Sequence, residues 1–204
     1  SRAPPIAVDE LSSPLKASVV HIAPIAGEVT YDVVEKLKGC ADVLSFDPQG
    51  LVRSFDENGT VSPCPLADKR MLELVKIYKS SLPEIEAVTG ISELNSAIKT
   101  IHDYGVEVVI VTLGAKGSVV SADGAVYDVP ACPPDRIVDP TGAGDAFMGG
   151  FLAEYVNGRN LLRCACVGSA VASLVVESMG PTYFGDKEMI YQRARLLYEK
   201  EIKE

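Results

Sequence analysis

Asp145 stands in a run of residues with almost no side chains. Gly142, Ala143 and Gly144 precede it, Ala146 follows, and an apolar helical pattern begins at once. A loop this lean lets backbone N–H groups approach a ligand closely, and a helix starting there adds its unpaired amides and the positive end of its dipole. A carboxylate among those amides is placed to take a proton from a hydroxyl that attacks a phosphate, which is general-base chemistry beside an anion hole. The same residues also describe a Gly-rich strand-to-helix turn whose Asp caps the helix, and the stretch alone does not choose between the two.

Two other stretches carry polar groups where a sheet would present them. Val106 to Leu113 is the clearest buried strand in the chain and runs into Gly114-Ala115-Lys116-Gly117, a turn against which a flat ligand or a phosphate can lie. A plain tight turn explains the spacing equally well. Val43 to Phe46 ends in Asp47-Pro48-Gln49-Gly50, and polar residues past the carboxyl end of a parallel strand commonly line a ligand crevice. Asp47, Gln49 and Arg53 are therefore candidate substrate-side groups, with a solvated proline turn as the alternative. Neither GxxxxGK[ST] nor GxGxxG occurs anywhere in the chain.

Composition narrows the classes. The 204 residues are 47% hydrophobic and 23% charged, enough for a sizeable core, and the net charge of −9 argues against a nucleic-acid surface. Five cysteines without a CxxC pair and two scattered histidines suit reduced thiols rather than a zinc site. No apolar run reaches the ~18 to 20 residues of a membrane span and no signal-like segment opens the chain, so a cytoplasmic location without membrane contact is expected.

The elements that must hold these groups alternate. After an irregular lead-in over residues 1–14, a strand at Ala17–Ala23 and a helix at Thr30–Leu37 closed by Gly39 open a βαβ pattern. Asn58-Gly59 marks a small hairpin, and helices are predicted over Met71–Tyr78, over Pro83–Gly90 and over Ser92–Tyr104, the last with Ser92 as cap. A second hairpin turns at Asp123-Gly124. Two apolar helices follow, Ala143–Tyr155 with Gly149 and Gly150 permitting close packing and Asn160–Glu177 with Cys164 and Cys166 as core fillers. A charged helix over Lys187–Lys203 is expected as a solvated cover. This order implies an α/β fold, a mainly parallel sheet covered by helices on both faces, in a single domain over residues 1–204.

Three separated stretches together resemble the ribokinase-like (PfkB-type) carbohydrate kinases. Asp139-Pro140-Thr141-Gly142-Ala143-Gly144-Asp145-Ala146-Phe147-Met148-Gly149-Gly150-Phe151 looks like that family's C-terminal signature. Thr112-Leu113-Gly114-Ala115-Lys116-Gly117 is similar to its nucleotide-binding turn, and Glu84-Ile85-Glu86-Ala87-Val88-Thr89-Gly90 to its Glu-containing segment near Mg2+. The correspondence runs from about Ala17 to the C-terminus. One departure is Ser81, where the family carries Asn ahead of that Glu. The resemblance also implies that roughly the first third of a family member, with its paired-glycine substrate motif and lid, is not represented here.

Carried over, the resemblance implies Asp145 as general base, with the amides of Gly142, Ala143 and Gly144 as anion hole. Thr112, Gly114, Gly117, Ser169 and Ala172 fall where the nucleotide lies, Glu84 on the Mg2+ side, and Asp139 beside a monovalent cation such as K+. The implied activity is ATP-dependent phosphorylation of a hydroxyl on a small-molecule sugar or polyol, weak or absent in this chain alone. A non-catalytic nucleotide- or metabolite-binding module is the alternative. Neither the acceptor nor an oligomeric state is legible in these residues.

Overall fold

The computed structural model describes residues 4–11 and 16–201, so the expected irregular lead-in lies partly outside the described residues. The chain divides into two compact units, Ser1–Val111 with Ser121–Gly124, and Thr112–Val120 with Ala125–Glu204.

The first unit is built on parallel pairing. β1 (Ala17–Ile22) and β2 (Ala41–Phe46) run in register from Ala17 beside Ala41 to Ile22 beside Phe46, with α1 (Tyr31–Lys38) between them in sequence. Val33 and Val34, one face of α1, are buried. β3 (Arg53–Phe55) and β4 (Val61–Pro63) form the expected hairpin as a separate antiparallel ribbon. β5 (Ile77–Ser81) pairs in parallel with β2, Ser45 beside Ile77 and Phe46 beside Tyr78. α2 (Leu82–Thr89), α3 (Leu94–His102) and β6 (Val108–Thr112) complete an order of β1-β2-β5-β6. Gly50 sits so close to the chain before it that a Cβ there would lie 2.3 Å from the Pro24 carbonyl oxygen, which accepts the Gly50 amide.

Two expectations are corrected. The helix predicted over Met71–Tyr78 is a six-residue 3-10 turn, Lys69–Leu74, followed by β5. Ile77 and Tyr78 are fully buried in a strand that is also covered at Lys79 and Ser80. The cap of α3 is Glu93 rather than Ser92; its carboxylate accepts the amides of Asn95 and Ser96.

β7 (Ser118–Ala122) begins in the second unit and ends, with the turn that follows it, in the first; β8 (Ala125–Val129), α4 (Ala143–Val156), α5 (Leu161–Val175) and α6 (Lys187–Glu201) belong to the second. The turn between β7 and β8 has positive φ at both Asp123 and Gly124, as a two-residue hairpin connection requires. Gly150 and Gly168 let α4 and α5 touch, because a Cβ on the first would meet Val171 at 2.9 Å and on the second the Phe147 carbonyl at 2.7 Å. Gly149 faces open space and takes no part, contrary to expectation. Glu154, buried in α4, accepts hydrogen bonds from Tyr191 of α6 and Arg163 of α5 and so ties the three helices. Cys164 and Cys166 fill the core as expected, and burial pushes the Cys164 thiol up to about 12. Strands and helices together give the expected α/β class with mainly parallel pairing. Among the described residues no helix is long and apolar enough to cross a membrane.

Candidate functional site

The second unit holds a cavity of about 460 Å³. Its floor comes from the turn after β6, with Thr112, Gly114, Ala115, Gly117 and Ser118. Gly117 is required there: φ is +97°, and a Cβ would stand 2.0 Å from the Val129 carbonyl oxygen. The Leu113 amide donates to the Gly117 carbonyl at 2.7 Å and closes the turn. Ser169, Ala172, Ser173 and Val176 of α5 form one side, and Cys132, Pro133, Pro134 and Ile137 the other. The lining is mostly apolar and small, which suits a flat heterocycle more than a free anion.

The cavity reaches the start of α4, where Pro140, Ala143, Gly144 and Phe147 also line it. Gly142 is the residue ahead of the helix, in the left-handed region at φ 80° and packed against Pro181. Of the three residues expected to supply an anion hole, Ala143 spends its amide on the Pro140 carbonyl at 3.2 Å. The Gly144 amide lies in the first helical turn, with no intrahelical acceptor to meet. Asp145 is exposed in that same turn. Asp139 turns inward: one carboxylate oxygen accepts the Thr141 amide and the other the Gly180 amide, both at 2.9 Å. Hydrogen bonds from Thr141 and then Gly180 hold its carboxyl below the usual range.

Thus Thr112, Gly114, Gly117, Ser169 and Ala172, expected together from sequence, do share one cavity with Ala143 and Gly144. The Ser169 hydroxyl, however, is engaged with the cavity's own wall. It accepts the Cys132 amide at 2.8 Å and donates to the Pro130 carbonyl at 3.3 Å.

Asp47, Gln49, Arg53 and Glu84 belong to the first unit. Asp47 is fully buried, with Lys79 donating to one oxygen at 2.6 Å and the Gln49 amide to the other at 3.1 Å. Burial pushes its carboxyl above the ordinary range against the pull of Lys79. Glu84 accepts both the amide and the hydroxyl of Ser81 at 2.7 Å and pairs with Arg53 at 3.0 Å. Burial pushes the Glu84 carboxyl up, but the two Ser81 hydrogen bonds, with Lys79 and Arg53, outweigh it and leave it low.

Sequence reasoning missed the wall residues Cys132, Pro133, Pro134 and Ile137, which sit in irregular chain between motifs, and Lys79. The doubled proline was the available signal for the wall, since it forbids both helix and ladder.

The profile described as pfkB family carbohydrate kinase matches residues 16–188. The chain belongs to that family. A cytidine kinase of Thermococcus kodakarensis is 34% identical over 168 residues, covering 81% of this chain and 58% of that protein. A nucleoside kinase of Methanocaldococcus jannaschii is 30% identical over 174 residues, covering 84% of this chain and 53% of that protein. The chain therefore spans somewhat over half the length of these curated relatives. Among solved structures, one described as the conversion of a pyrophosphate-dependent myo-inositol-1 kinase into a myo-inositol-3 kinase superposes with a TM-score of 0.81. It is 25% identical and covers 97% of this chain and 69% of that one.

Mg2+ and a nucleotide are implied by the family, and the residues present fit both. Three of roughly four acceptor positions on Glu84 are taken, so a Mg2+ there would be held through water, as this ion prefers. Among the described residues no cluster of three or more His, Cys, Asp or Glu side chains is arranged to hold a metal by itself, so Mg2+ would depend on phosphate oxygens for the rest of its shell.

Proposed function

We propose that this chain is the nucleotide-binding part of an ATP-dependent kinase that phosphorylates a hydroxyl of a sugar, a polyol or the sugar of a nucleoside. The observation that carries this reading is the small-residue, largely apolar cavity that ends at Gly144 and the first turn of α4. α5 and the wall at Cys132–Pro134 would hold the base, and the α4 N-terminus would receive the phosphates. There the Gly144 amide and the helix dipole stabilise negative charge. Asp145, one residue on, accepts the proton of the attacking hydroxyl. When bound, Mg2+ supplies charge neutralisation at the phosphates, held on the protein side by Glu84. Asp139 braces the loop at Gly180, the place of a monovalent cation such as K+. Gln49 and Arg53 serve the acceptor, with Asp47 acting from behind through the Gln49 amide. Residues 1–204 work as one α/β nucleotide-binding domain in the cytoplasm, and turnover by these residues alone is weak.

A second donor has a specific observation behind it, since the superposed structure above derives from a pyrophosphate-dependent kinase. Pyrophosphate has no base to fill an apolar cavity of this size, which favours ATP. Phosphoryl transfer by the full-length protein is measured with each donor in turn over a panel of sugars, polyols and nucleosides. Transfer from ATP is expected, and turnover with pyrophosphate alone overturns the donor assignment. Asp145→Asn lowers kcat by about 10²- to 10⁴-fold, the range of a general base, while ATP affinity stays within about threefold. Wild-type kcat in that variant removes Asp145 from its role.

A further inference from the structure

The wall of the cavity over residues 130–137 carries neither helix nor strand, yet Cys132, Pro133, Pro134 and Ile137 line the site. Its shape is set from outside. Ser169 holds its beginning through the Cys132 amide and the Pro130 carbonyl. Glu177, just past the end of α5, holds its far part: the carboxylate accepts the Asp135 amide at 2.8 Å, and the Glu177 carbonyl accepts Arg136 Nε at 3.1 Å.

Glu177 is only 8% exposed, and a carboxylate covered to that degree needs a cation. Arg193 of α6 provides it. One guanidinium nitrogen donates to Glu177 at 2.7 Å and to the Ser173 hydroxyl at 2.9 Å, and the other reaches Asp135 at 3.2 Å. Ser173 itself lines the cavity and donates onward to the Ala170 carbonyl. Burial works against the Glu177 carboxylate, but the hydrogen bonds of Arg193 and of the Asp135 amide keep it below the usual range. A planar, two-pronged cation suits this task in a way a single ammonium does not.

We propose that Arg193 is a positioning residue for nucleotide binding, fixing the wall at residues 132–137 through Glu177, Asp135 and Ser173, so that α6 belongs to the donor site and is more than a solvated cover. The proposal rests on the cavity being the ATP site. ATP affinity is measured calorimetrically on the full-length protein and on Arg193→Gln, Arg193→Lys and Arg195→Gln, together with the urea midpoint and amide hydrogen exchange. Arg195, exposed on the same helix and paired with Glu199, is the control. Arg193→Gln weakens ATP binding tenfold or more and speeds exchange at the Asp135 amide, while amides of α4 and α5 keep wild-type protection. Arg193→Lys recovers part of the affinity, and Arg195→Gln matches wild type. Wild-type affinity in Arg193→Gln, or exchange raised evenly across α4, α5 and the wall, overturns the proposal with the ATP site intact. A folded wild-type protein that does not bind ATP overturns the site reading and the proposal with it. Where Arg193→Gln does not fold, full ATP affinity in Arg193→Lys is the overturning result.

Discussion

Asp145 and Asp47 are both acidic residues next to turns, and their surroundings give them opposite work. Asp145 is exposed in the first turn of a helix, and its motif was readable because Gly142, Ala143 and Gly144 have few uses other than a close backbone approach. Asp47 was read as a substrate-side group for equally local reasons, but it faces inward to Lys79, 32 residues later. No pattern in a single sequence reports a pair at that separation, and a lysine inside a strand looks like the end of an element. Lys79→Met leaves the Asp47 carboxylate buried without its counter-charge, a loss on the order of 3–5 kcal/mol at neutral pH. Burial already raises the Asp47 carboxyl, and a raised carboxyl costs stability only once ionised. The deficit of Lys79→Met therefore shrinks as pH falls through that raised value. Urea unfolding at pH 5 and pH 7 measures it, and a deficit independent of pH would refute the buried-charge account.

At the scale of elements, α2 shows what sequence conveys well. Pro83 near its start and Gly90 at its end were legible, and Gly90 takes the left-handed conformation that closes the helix. Ser81, which stands out only as a departure from the family's Asn, is the cap: its hydroxyl and amide both meet Glu84. Its replacement by Ala costs about 0.5–2 kcal/mol. The two bonds also hold the Glu84 carboxyl low, so they contribute stability above the ordinary Glu value near 4.3, lost as pH falls through the lowered one. Ser81→Ala should accordingly flatten the acid side of the stability profile below about pH 5, followed by urea midpoints from pH 6 to pH 3. A parallel displacement of the whole profile would mean that Ser81 acts only through the helix. β5 was illegible for the converse reason. The apolar spacing from Met71 to Tyr78 satisfies a helical period, and pairing with neighbouring strands, at Ser45 and Phe46 of β2 among others, selects the extended form.

For the whole molecule, alternation of strands and helices conveyed the α/β class because periodicity survives in every segment. What it could not convey is which distant pieces of chain share a unit. The backbone passes between the two units at Val111–Thr112, at Val120–Ser121 and at Gly124–Ala125, so the first unit is completed by a four-residue return. Within that return, Ser121 stands 2.9 Å from His102 Nε2, whose other ring nitrogen meets the Val106 carbonyl at 2.7 Å. This path makes the chain hard to dissect. Cutting after Val111 strips His102 of one partner, and residues 1–111 alone are expected to melt without the cooperativity of residues 1–124 when followed by circular dichroism. Equal cooperativity in the two pieces would show that the return is dispensable. Any scheme that grafts one unit without the other must carry the tip of the β7–β8 hairpin with the first.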